Sequence, residues 1–184
     1  MTAQTHPVVT LFMSISLNGM IARPGGSEDF FTDINWHAFV DLAKGAGAMA
    51  WGRETHEIFR RPAVADMPEV RGFVLTSNRA FQVEKGWTLA TSPEETITLA
   101  THAGTTELLV VGGAKVNAVF AQRHLIDRVV LDIESVLIGE GIPLFASSDF
   151  DLPLQLRNIK TLSSTVIQLH YDVIASAGNE SAGR

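Results

Sequence analysis

Apolar, β-prone stretches alternate with helical patterns along most of the chain. The first stretch, residues 8–15, is almost continuously apolar, which is typical of a strand buried on both faces of a sheet. Further strand patterns cover residues 48–51, 72–76, 107–111 and 127–136. Helical patterns lie between them, so the order of elements predicts parallel strands joined by helices.

Local signals indicate where the helices begin and end. Ser92-Pro93-Glu94-Glu95 is a capping box with proline at the first helical position, which predicts a helix there. Asp33 or Asn35 can cap the first helix. We expect Pro62 to end the helix that begins at Arg53, because proline disrupts hydrogen bonding inside a helix.

The last part of the chain changes pattern. Residues 152–161 and 165–174 both read as strands, and the short polar link between them predicts an antiparallel hairpin. We therefore predict a three-layer α/β/α sandwich around a mostly parallel mixed sheet with a C-terminal antiparallel hairpin. Residues 1–175 are expected to form a single domain, and residues 176–184 a flexible tail.

Composition limits the classes of function. Of the 184 residues, 46% are hydrophobic and 18% charged, which is typical of a globular protein. The net charge of -6 disfavours nucleic acid and anionic membranes as partners, and no apolar run is long enough to span a membrane, so we expect a cytoplasmic protein. The chain has no cysteine and no histidine pair at ligand spacing, so no metal site is expected.

Two glycine-containing segments, Gly52-Arg53-Glu54-Thr55 and Gly112-Gly113-Ala114-Lys115, each follow a predicted strand and precede a predicted helix. Such junctions present backbone N–H groups and the positive end of a helix dipole, which bind phosphate. In the first segment, Thr55 offers a hydroxyl and Arg53 can pair with a second phosphate. The alternative is that both segments are ordinary strand-to-helix turns that need glycine for close packing.

Two polar loops also follow predicted strands. Thr76-Ser77-Asn78-Arg79 can bind an adenosine 2′-phosphate, or it is a polar turn. Asn18-Gly19 is a strong turn signal, and a loop after a central strand also opens at the edge of the sheet where ligands bind in α/β folds. Both interpretations of the Asn18-Gly19 loop can hold at once.

These segments, in this order, resemble the dihydrofolate reductase superfamily. The motifs that match are Ser16-Leu17-Asn18-Gly19-Met20-Ile21-Ala22, Gly52-Arg53-Glu54-Thr55, Leu75-Thr76-Ser77-Asn78 and Val111-Gly112-Gly113-Ala114. Within the superfamily the chain is most similar to the branch that contains the C-terminal reductase domain of bacterial riboflavin biosynthesis. That branch often has a late motif that is here Gly139-Glu140-Gly141-Ile142-Pro143-Leu144-Phe145.

The resemblance implies an NADPH site. It places Arg53 and Ser77 near the 2′-phosphate, Thr55 and the Gly112-Gly113-Ala114 turn near the pyrophosphate, and the nicotinamide beside the loop of residues 16–21. The cofactor-binding residues expected on this basis are Gly19, Ile21, Gly52, Arg53, Thr55, Thr76, Ser77, Asn78, Gly112, Gly113 and Ala114.

The chain departs from its relatives at positions that would meet the substrate. Folate reductases have a carboxylate on the first helix, where this chain has Trp36, with Asp33 one turn earlier. The riboflavin branch usually has a lysine, an aspartate and a glutamate where this chain has Phe12, Asn18 and Val111. Because an unmatched buried polar group costs about 1 to 3 kcal/mol, these changes indicate a different substrate.

We therefore expect an NADPH-dependent reductase of a small heteroaromatic, pterin-like or aminopyrimidine-like substrate. Asn18 and Ser16 would orient the substrate, Asp33 would assist its protonation, and Phe12 and Trp36 would line its pocket. By analogy with related reductases, the terminal hairpin is expected to form a homodimer. The alternative is a non-catalytic nucleotide-binding or regulatory module on the same fold.

Overall fold

The apolar stretches form one eight-stranded sheet in the structure, a computed structural model that describes residues 6–174. The strands are β1 (Val8–Ser16), β2 (Met20–Ala22), β3 (Ala48–Gly52), β4 (Arg71–Leu75), β5 (Trp87–Ala90), β6 (Glu107–Val110), β7 (Arg128–Glu134), β8 (Ile142–Pro143), β9 (Leu154–Thr161) and β10 (Val166–Val173). The helices are α1 (Asp33–Ala46), α2 (Arg53–Asp66), α3 (Pro93–His102) and α4 (Ala114–Gln122). The sheet has the order β5-β4-β3-β6-β1-β7-β10-β9, and β2 pairs separately with β8.

The strand directions confirm the predicted mixed sheet. β1 runs parallel to both of its neighbours, β6 and β7, and the strands from β6 to β5 are also parallel. β10 runs antiparallel to both β7 and β9, as the terminal hairpin predicted. The carboxyl ends of β3, β4, β6 and β1 therefore share one edge, which is where ligands bind in such folds.

Helices bury both faces of the sheet. Adjacent residues of β1 face opposite layers, so Leu11 packs with Phe120 of α4, whereas Phe12 packs in the layer with Phe39 of α1. All three aromatic side chains and Leu11 are buried. The same alternation continues in β3, where Ala50 faces the first layer and Trp51 the second. This burial on both faces explains the nearly continuous apolar runs in the sequence.

Two predicted helix boundaries were wrong. Thr32, rather than Asp33 or Asn35, is the N-cap of α1, and Asn35 takes part in the capping box by accepting from the Thr32 N–H at 3.0 Å. Glu134 of β7 also accepts from the N–H and the hydroxyl of Thr32, at 3.0 and 2.9 Å. α2 continues through Pro62 to Asp66. Burial of Ala63 and Met67 against the core holds the last turn of α2 together despite the missing N–H.

Short strands were not predicted. β2, β5 and β8 have three, four and two residues, too few to show a period in the sequence. β7 ends at Glu134, before the predicted end at residue 136. The predicted tail of residues 176–184 lies outside the described residues. Within residues 6–174, no helix combines the length and the apolar character needed to cross a membrane.

Two carboxylic acids are buried side by side on β7. Asp132 is fully buried and accepts a hydrogen bond from Gln168 of β10 at 2.9 Å through one oxygen. The Asn35 side chain of α1 is its second polar neighbour, and contacts with Gln168 and Asn35 both favour the ionised form. Burial raises the pKa of Asp132 to about 6, and the nearby charge of Glu134 contributes in the same direction. The interface between α1 and β7 therefore contains an acid that is costly to ionise.

Replacing Asp132 by asparagine should stabilise the protein at high pH. The folded-state pKa of Asp132, about 6, lies above its ordinary value of 3.8. Asp132 therefore contributes its full stabilisation at pH values below 3.8, and this contribution is lost as the pH rises through 6. We expect the free energy of unfolding of Asp132→Asn, relative to wild type, to rise by roughly 2 to 3 kcal/mol from about pH 4 to about pH 8. Urea unfolding followed by tryptophan fluorescence measures this difference.

The matched control is Asp151→Asn, which removes the same charge from an exposed position. Its stability relative to wild type should change little with pH. A difference for Asp132→Asn that does not vary with pH would contradict the interpretation.

Candidate functional site

A cavity of about 1060 Å³ lies at the carboxyl edge of the sheet. It is lined by the ends of β1, β3 and β4, the residue that follows β6, and the starts of α1, α2, α3 and α4. A volume near the top of the usual range for small-molecule sites leaves room for a dinucleotide together with a second small molecule. The cavity has two chemically different ends, one polar and basic, the other aromatic.

The two glycine junctions meet at the polar end. The Gly52 N–H donates a hydrogen bond to the Gly112 carbonyl at 2.8 Å, which joins the end of β3 to the turn before α4. A Cβ atom on Gly113 would lie only 3.6 Å from the Thr55 hydroxyl. Gly112 has a φ of +84°, and a Cβ there would lie 2.9 Å from the Met13 sulfur. The junctions are therefore direct neighbours, as a shared diphosphate site requires.

The helices that begin at these junctions have no side-chain cap. The N-caps of α2 and α4 are Gly52 and Gly113, neither of which has a side chain to accept from the first turn. In contrast, Ser92 caps α3 by accepting from the Glu95 N–H at 3.1 Å. The first-turn N–H groups of α2 and α4 thus remain available to a ligand, and the helix dipoles favour an anion there.

Basic and hydroxyl side chains surround this polar end. Arg53 lines the cavity and approaches Glu54 and Glu57 only at 4.0 and 3.9 Å, which are weak contacts. Thr76 and Ser77, two of the expected cofactor-binding residues, line the cavity. Asn78 is not among the lining residues. Its side-chain oxygen accepts from the Ala80 N–H at 3.1 Å, as expected if this segment is a polar turn.

Sequence reasoning missed four polar residues of this end, Thr91, Ser92, Lys115 and Arg123. Thr91 and Ser92 follow β5, a strand that the sequence did not reveal. Lys115 closes the Gly112-Gly113-Ala114-Lys115 segment but was not among the expected cofactor-binding residues. Arg123 lies at the far end of α4 and is already paired with Glu94 at 2.6 Å.

The other end of the cavity is aromatic. Phe12 and Phe39 stack with their ring centroids 6.0 Å apart, and Trp36 stacks on Phe59 at 6.2 Å. The Trp36 indole N–H donates to Asp66 at 2.7 Å, which holds the ring in place. Both residues predicted for the substrate pocket, Phe12 and Trp36, line this end. Its walls suit a flat ring.

Ser16 and Asn18 act in the loop rather than at the cavity surface. The Ser16 hydroxyl donates to the Asn18 side chain at 2.9 Å and accepts from the Met20 N–H at 3.0 Å. Asn18 also makes two hydrogen bonds, of 2.7 and 3.0 Å, with the backbone of Ile138. Neither residue lines the cavity, nor does Gly19, whereas Ile21 does. Their polar groups are used to hold the loop, so the predicted role in orienting substrate is not supported by their positions.

Asp33 is exposed in the first turn of α1 and is not among the residues that line the cavity. Glu28, in the segment between β2 and α1, is an acid that lines the cavity. Burial raises the pKa of Glu28 to about 7. No motif contains Glu28, so the sequence offered no signal for it.

His56 anchors the start of α2 beneath the polar end. The Trp51 indole N–H donates to His56 Nδ1 at 3.1 Å, so the proton of the neutral ring resides on Nε2. Nε2 in turn contacts Glu84 at 2.7 Å. Within residues 6–174, no three His, Asp or Glu side chains lie together in a way that could hold a metal ion.

Comparisons with known proteins agree with this geometry. A family model, described as the RibD C-terminal domain, matches residues 7–168. The uncharacterized protein YwjB of Bacillus subtilis (strain 168) is 26% identical over 167 residues, which cover 88% of this chain and 95% of YwjB.

Solved structures show the same fold. A pyrimidine reductase-like protein from Corynebacterium diphtheriae matches with a TM-score of 0.72 at 16% identity, over 92% of this chain and 93% of that chain. A diaminohydroxyphosphoribosylaminopyrimidine deaminase/5-amino-6-(5-phosphoribosylamino)uracil reductase from Thermotoga maritima matches with a TM-score of 0.73 at 18% identity, over 92% of this chain and 57% of that chain. The chain belongs to the RibD C-terminal domain family, as its resemblance to the riboflavin branch of the dihydrofolate reductase superfamily predicted.

Proposed function

We propose that the protein is an NADPH-dependent reductase that transfers a hydride to a small heteroaromatic, pterin-like or aminopyrimidine-like substrate. The observation that carries this proposal is the contact between two uncapped helix N-termini at one end of a cavity that is aromatic at the other end. A diphosphate fits the first feature, and two stacked flat rings fit the second.

The residues at the polar end fit NADPH. Thr55, Gly113 and Ala114 would hold the pyrophosphate, because they combine first-turn N–H groups with a hydroxyl. Arg53 and Ser77 would hold the 2′-phosphate, and Thr76 would line the same region. Gly52 and Gly112 would act through their mutual hydrogen bond, which keeps the two helix starts together. When bound, NADPH supplies a hydride.

The aromatic end would position the substrate. Phe12 and Trp36 provide walls against which a planar ring packs, and Ile21 and Val111 add apolar surface. These side chains exclude water from the reacting face and restrict the ring to one orientation. The reductase activities named for the pyrimidine reductase-like and uracil reductase proteins of similar fold support this proposal.

Removing the guanidinium of Arg53 should weaken NADPH binding. We expect Arg53→Ala to raise the Kd for NADPH by about tenfold or more, because a charge-assisted contact with the 2′-phosphate is lost. The Kd for NADH, which lacks that phosphate, should change by less than about threefold. Quenching of tryptophan fluorescence measures both constants, since Trp36 and Trp51 line the cavity.

The matched control is Arg61→Ala, which removes the same charge from an exposed position of α2 outside the cavity. It should leave both dissociation constants near their wild-type values. Equal effects of the two substitutions on NADPH binding would overturn the assignment of Arg53.

A non-catalytic nucleotide-binding or regulatory module remains the second candidate, because Ser16, Asn18 and Asp33 do not line the cavity. Incubation of the protein with NADPH and a panel of pterins, aminopyrimidine ribosides and quinoid acceptors separates the two functions. If the protein is a reductase, the absorbance of the reduced nicotinamide should fall with at least one acceptor. The rate of this fall should be proportional to the protein concentration. Tight NADPH binding without consumption by any acceptor would favour the module.

We also propose that the protein is a homodimer formed through β9 and β10. All eight residues of β9 are exposed in the single chain, and Leu154, Leu156 and Ile159 expose 40, 49 and 57% of their surface. An edge strand with exposed apolar side chains is unusual unless another chain covers it. A second copy fits because twofold pairing of identical edges closes the assembly. The cytoplasmic location expected from the sequence stays a prediction.

Introducing a charge into the exposed apolar surface of β9 should separate the dimer. We expect wild type to have about twice the chain mass of 19.9 kDa by size-exclusion chromatography with light scattering, and Leu156→Lys to have the mass of one chain. Gln155→Lys, at the alternate position of the same strand, is the control and should remain dimeric. A wild-type mass near 20 kDa would rule out the dimer.

A further inference from the structure

The polar end of the cavity is built from separate pieces of chain. Arg53 and Thr55 lie in the first turn of α2, whereas Ser77 lies in the segment of residues 76–86 that connects β4 to β5. We call this segment the β4–β5 connection. A ligand that touches both pieces requires them to keep a fixed relative position, so the contacts between them matter for binding.

Glu84 of the β4–β5 connection makes those contacts. One of its oxygens contacts His56 Nε2 at 2.7 Å, and the other accepts from the Arg60 guanidinium. His56 and Arg60 are one helical turn apart and therefore lie on the same side of α2. In the described part of the chain, no other side-chain hydrogen bond joins the β4–β5 connection to α2.

His56 is a rigid anchor for this contact. Its side chain is fully buried, and its Nδ1 accepts from the Trp51 indole N–H at 3.1 Å. The Trp87 ring lies edge to face with the imidazole at a centroid distance of 4.7 Å, and the Phe81 ring does so at 6.1 Å. Because Trp51 occupies one nitrogen, the other carries its proton toward Glu84. The acid is therefore tied to β3 and to the core.

The hold of Glu84 extends to Ser77 through a turn. The Asn78 carbonyl accepts from the Phe81 N–H at 3.0 Å, which closes a turn directly after Ser77. The Phe81 ring packs on His56, the residue that Glu84 contacts. The position of Ser77 therefore depends on the contact between the β4–β5 connection and α2.

We propose that Glu84 is a positioning residue that gives the site its preference for NADPH over NADH. By bridging the β4–β5 connection to α2, it fixes Ser77 relative to Arg53, so that both side chains can contact one 2′-phosphate. The inference rests on the proposed function, in which Arg53 and Ser77 hold this phosphate. Glu84 acts through these residues, because it is not among those that line the cavity.

The charge of Glu84 separates this role from a direct electrostatic one. A carboxylate near a phosphate site repels the phosphate, and Glu84 also neutralises the cation of Arg60. Coulomb attraction alone therefore predicts that removal of Glu84 strengthens NADPH binding. Loss of the bridge predicts weaker binding, because ordering the released β4–β5 connection around the ligand costs entropy. The sign of the change distinguishes the two roles.

The test compares two substitutions that remove the same charge. Glu84→Ala removes the bridge, whereas Glu84→Gln keeps a side-chain oxygen that accepts from His56. We expect Glu84→Ala to raise the Kd for NADPH by about fivefold or more and the Kd for NADH by less than about twofold. Glu84→Gln should keep the Kd for NADPH within about twofold of wild type. Quenching of tryptophan fluorescence measures all of these constants.

The matched control is Glu69→Ala. It removes an exposed carboxylate that pairs with Lys44 at 3.9 Å and does not line the cavity. Both dissociation constants should stay near their wild-type values.

Limited digestion with trypsin follows the bridge without any cofactor. Arg79 and Lys85 are exposed residues of the β4–β5 connection, and trypsin cleaves after both residue types. Cleavage at these two sites, identified by mass spectrometry, should be about threefold or more faster in Glu84→Ala than in wild type or Glu69→Ala, because release of the segment lowers the cost of local opening. Glu84→Gln should be cleaved at nearly the wild-type rate.

Three results would overturn the role of Glu84: NADPH binding to Glu84→Ala that is unchanged or tighter, an equal loss of affinity for NADPH and NADH, or unchanged cleavage by trypsin. Equal weakening of NADPH binding by Glu84→Gln and Glu84→Ala would also contradict it, since the charge and not the bridge would then decide. Failure of NADPH to bind wild type would reject the proposed function itself. Normal binding to wild type with no effect of Glu84→Ala would reject this inference alone.

Discussion

The hydrogen bond from the Gly52 N–H to the Gly112 carbonyl holds the start of α2 beside the turn that precedes α4, and the proposed cofactor site depends on it. β3 and β6 are parallel neighbours, so their carboxyl ends reach the same edge of the sheet. Glycine is required for the close approach: a Cβ on Gly52 would lie 3.0 Å from the Val116 side chain, and one on Gly112 would meet Met13. This hydrogen bond brings two helix N-termini together. Either junction by itself would be an ordinary strand-to-helix turn.

From this contact the cavity extends in two directions with opposite chemistry. Toward β4 and α3 the lining is hydroxylic, the starts of α2 and α4 add Arg53 and Lys115, and toward α1 the lining is aromatic. The division follows from the topology. β3, β4 and β6 lie together on one side of β1, so their following loops form one group. α1 packs on β3 and β6 on the face that it shares with α2, where it presents Trp36 and Phe39, whereas α3 and α4 cover the other face. The fold thereby separates an anion-binding region from a ring-binding region along one edge.

Sequence motifs located the site better than they assigned its roles. Phe12, Trp36, Arg53 and Thr55 all line the cavity. Trp36, Arg53 and Thr55 lie in the first turns of helices whose starts local signals reveal, and Phe12 lies within the first strand. Ser16 and Asn18 belong to an equally strong motif, yet their polar atoms bond to each other and to Ile138, which lies 120 residues from Asn18. A motif shows that polar groups are needed at a position, and it does not show whether they face a ligand or the protein.

The sequence by itself determined seven of the eight strands of the large sheet, the glycine junctions, the capping of α3 and the terminal hairpin, because these depend on side-chain periodicity and on hydrogen bonds between residues a few positions apart. Only the tertiary structure decided that α2 continues through Pro62, that Thr32 caps α1 and that Asn18 bonds to Ile138 instead of lining the cavity. Each of these depends on burial or on a contact between residues far apart in the chain, such as Thr32 with Glu134. Burial is a property of how distant segments pack, so no short stretch of sequence contains it.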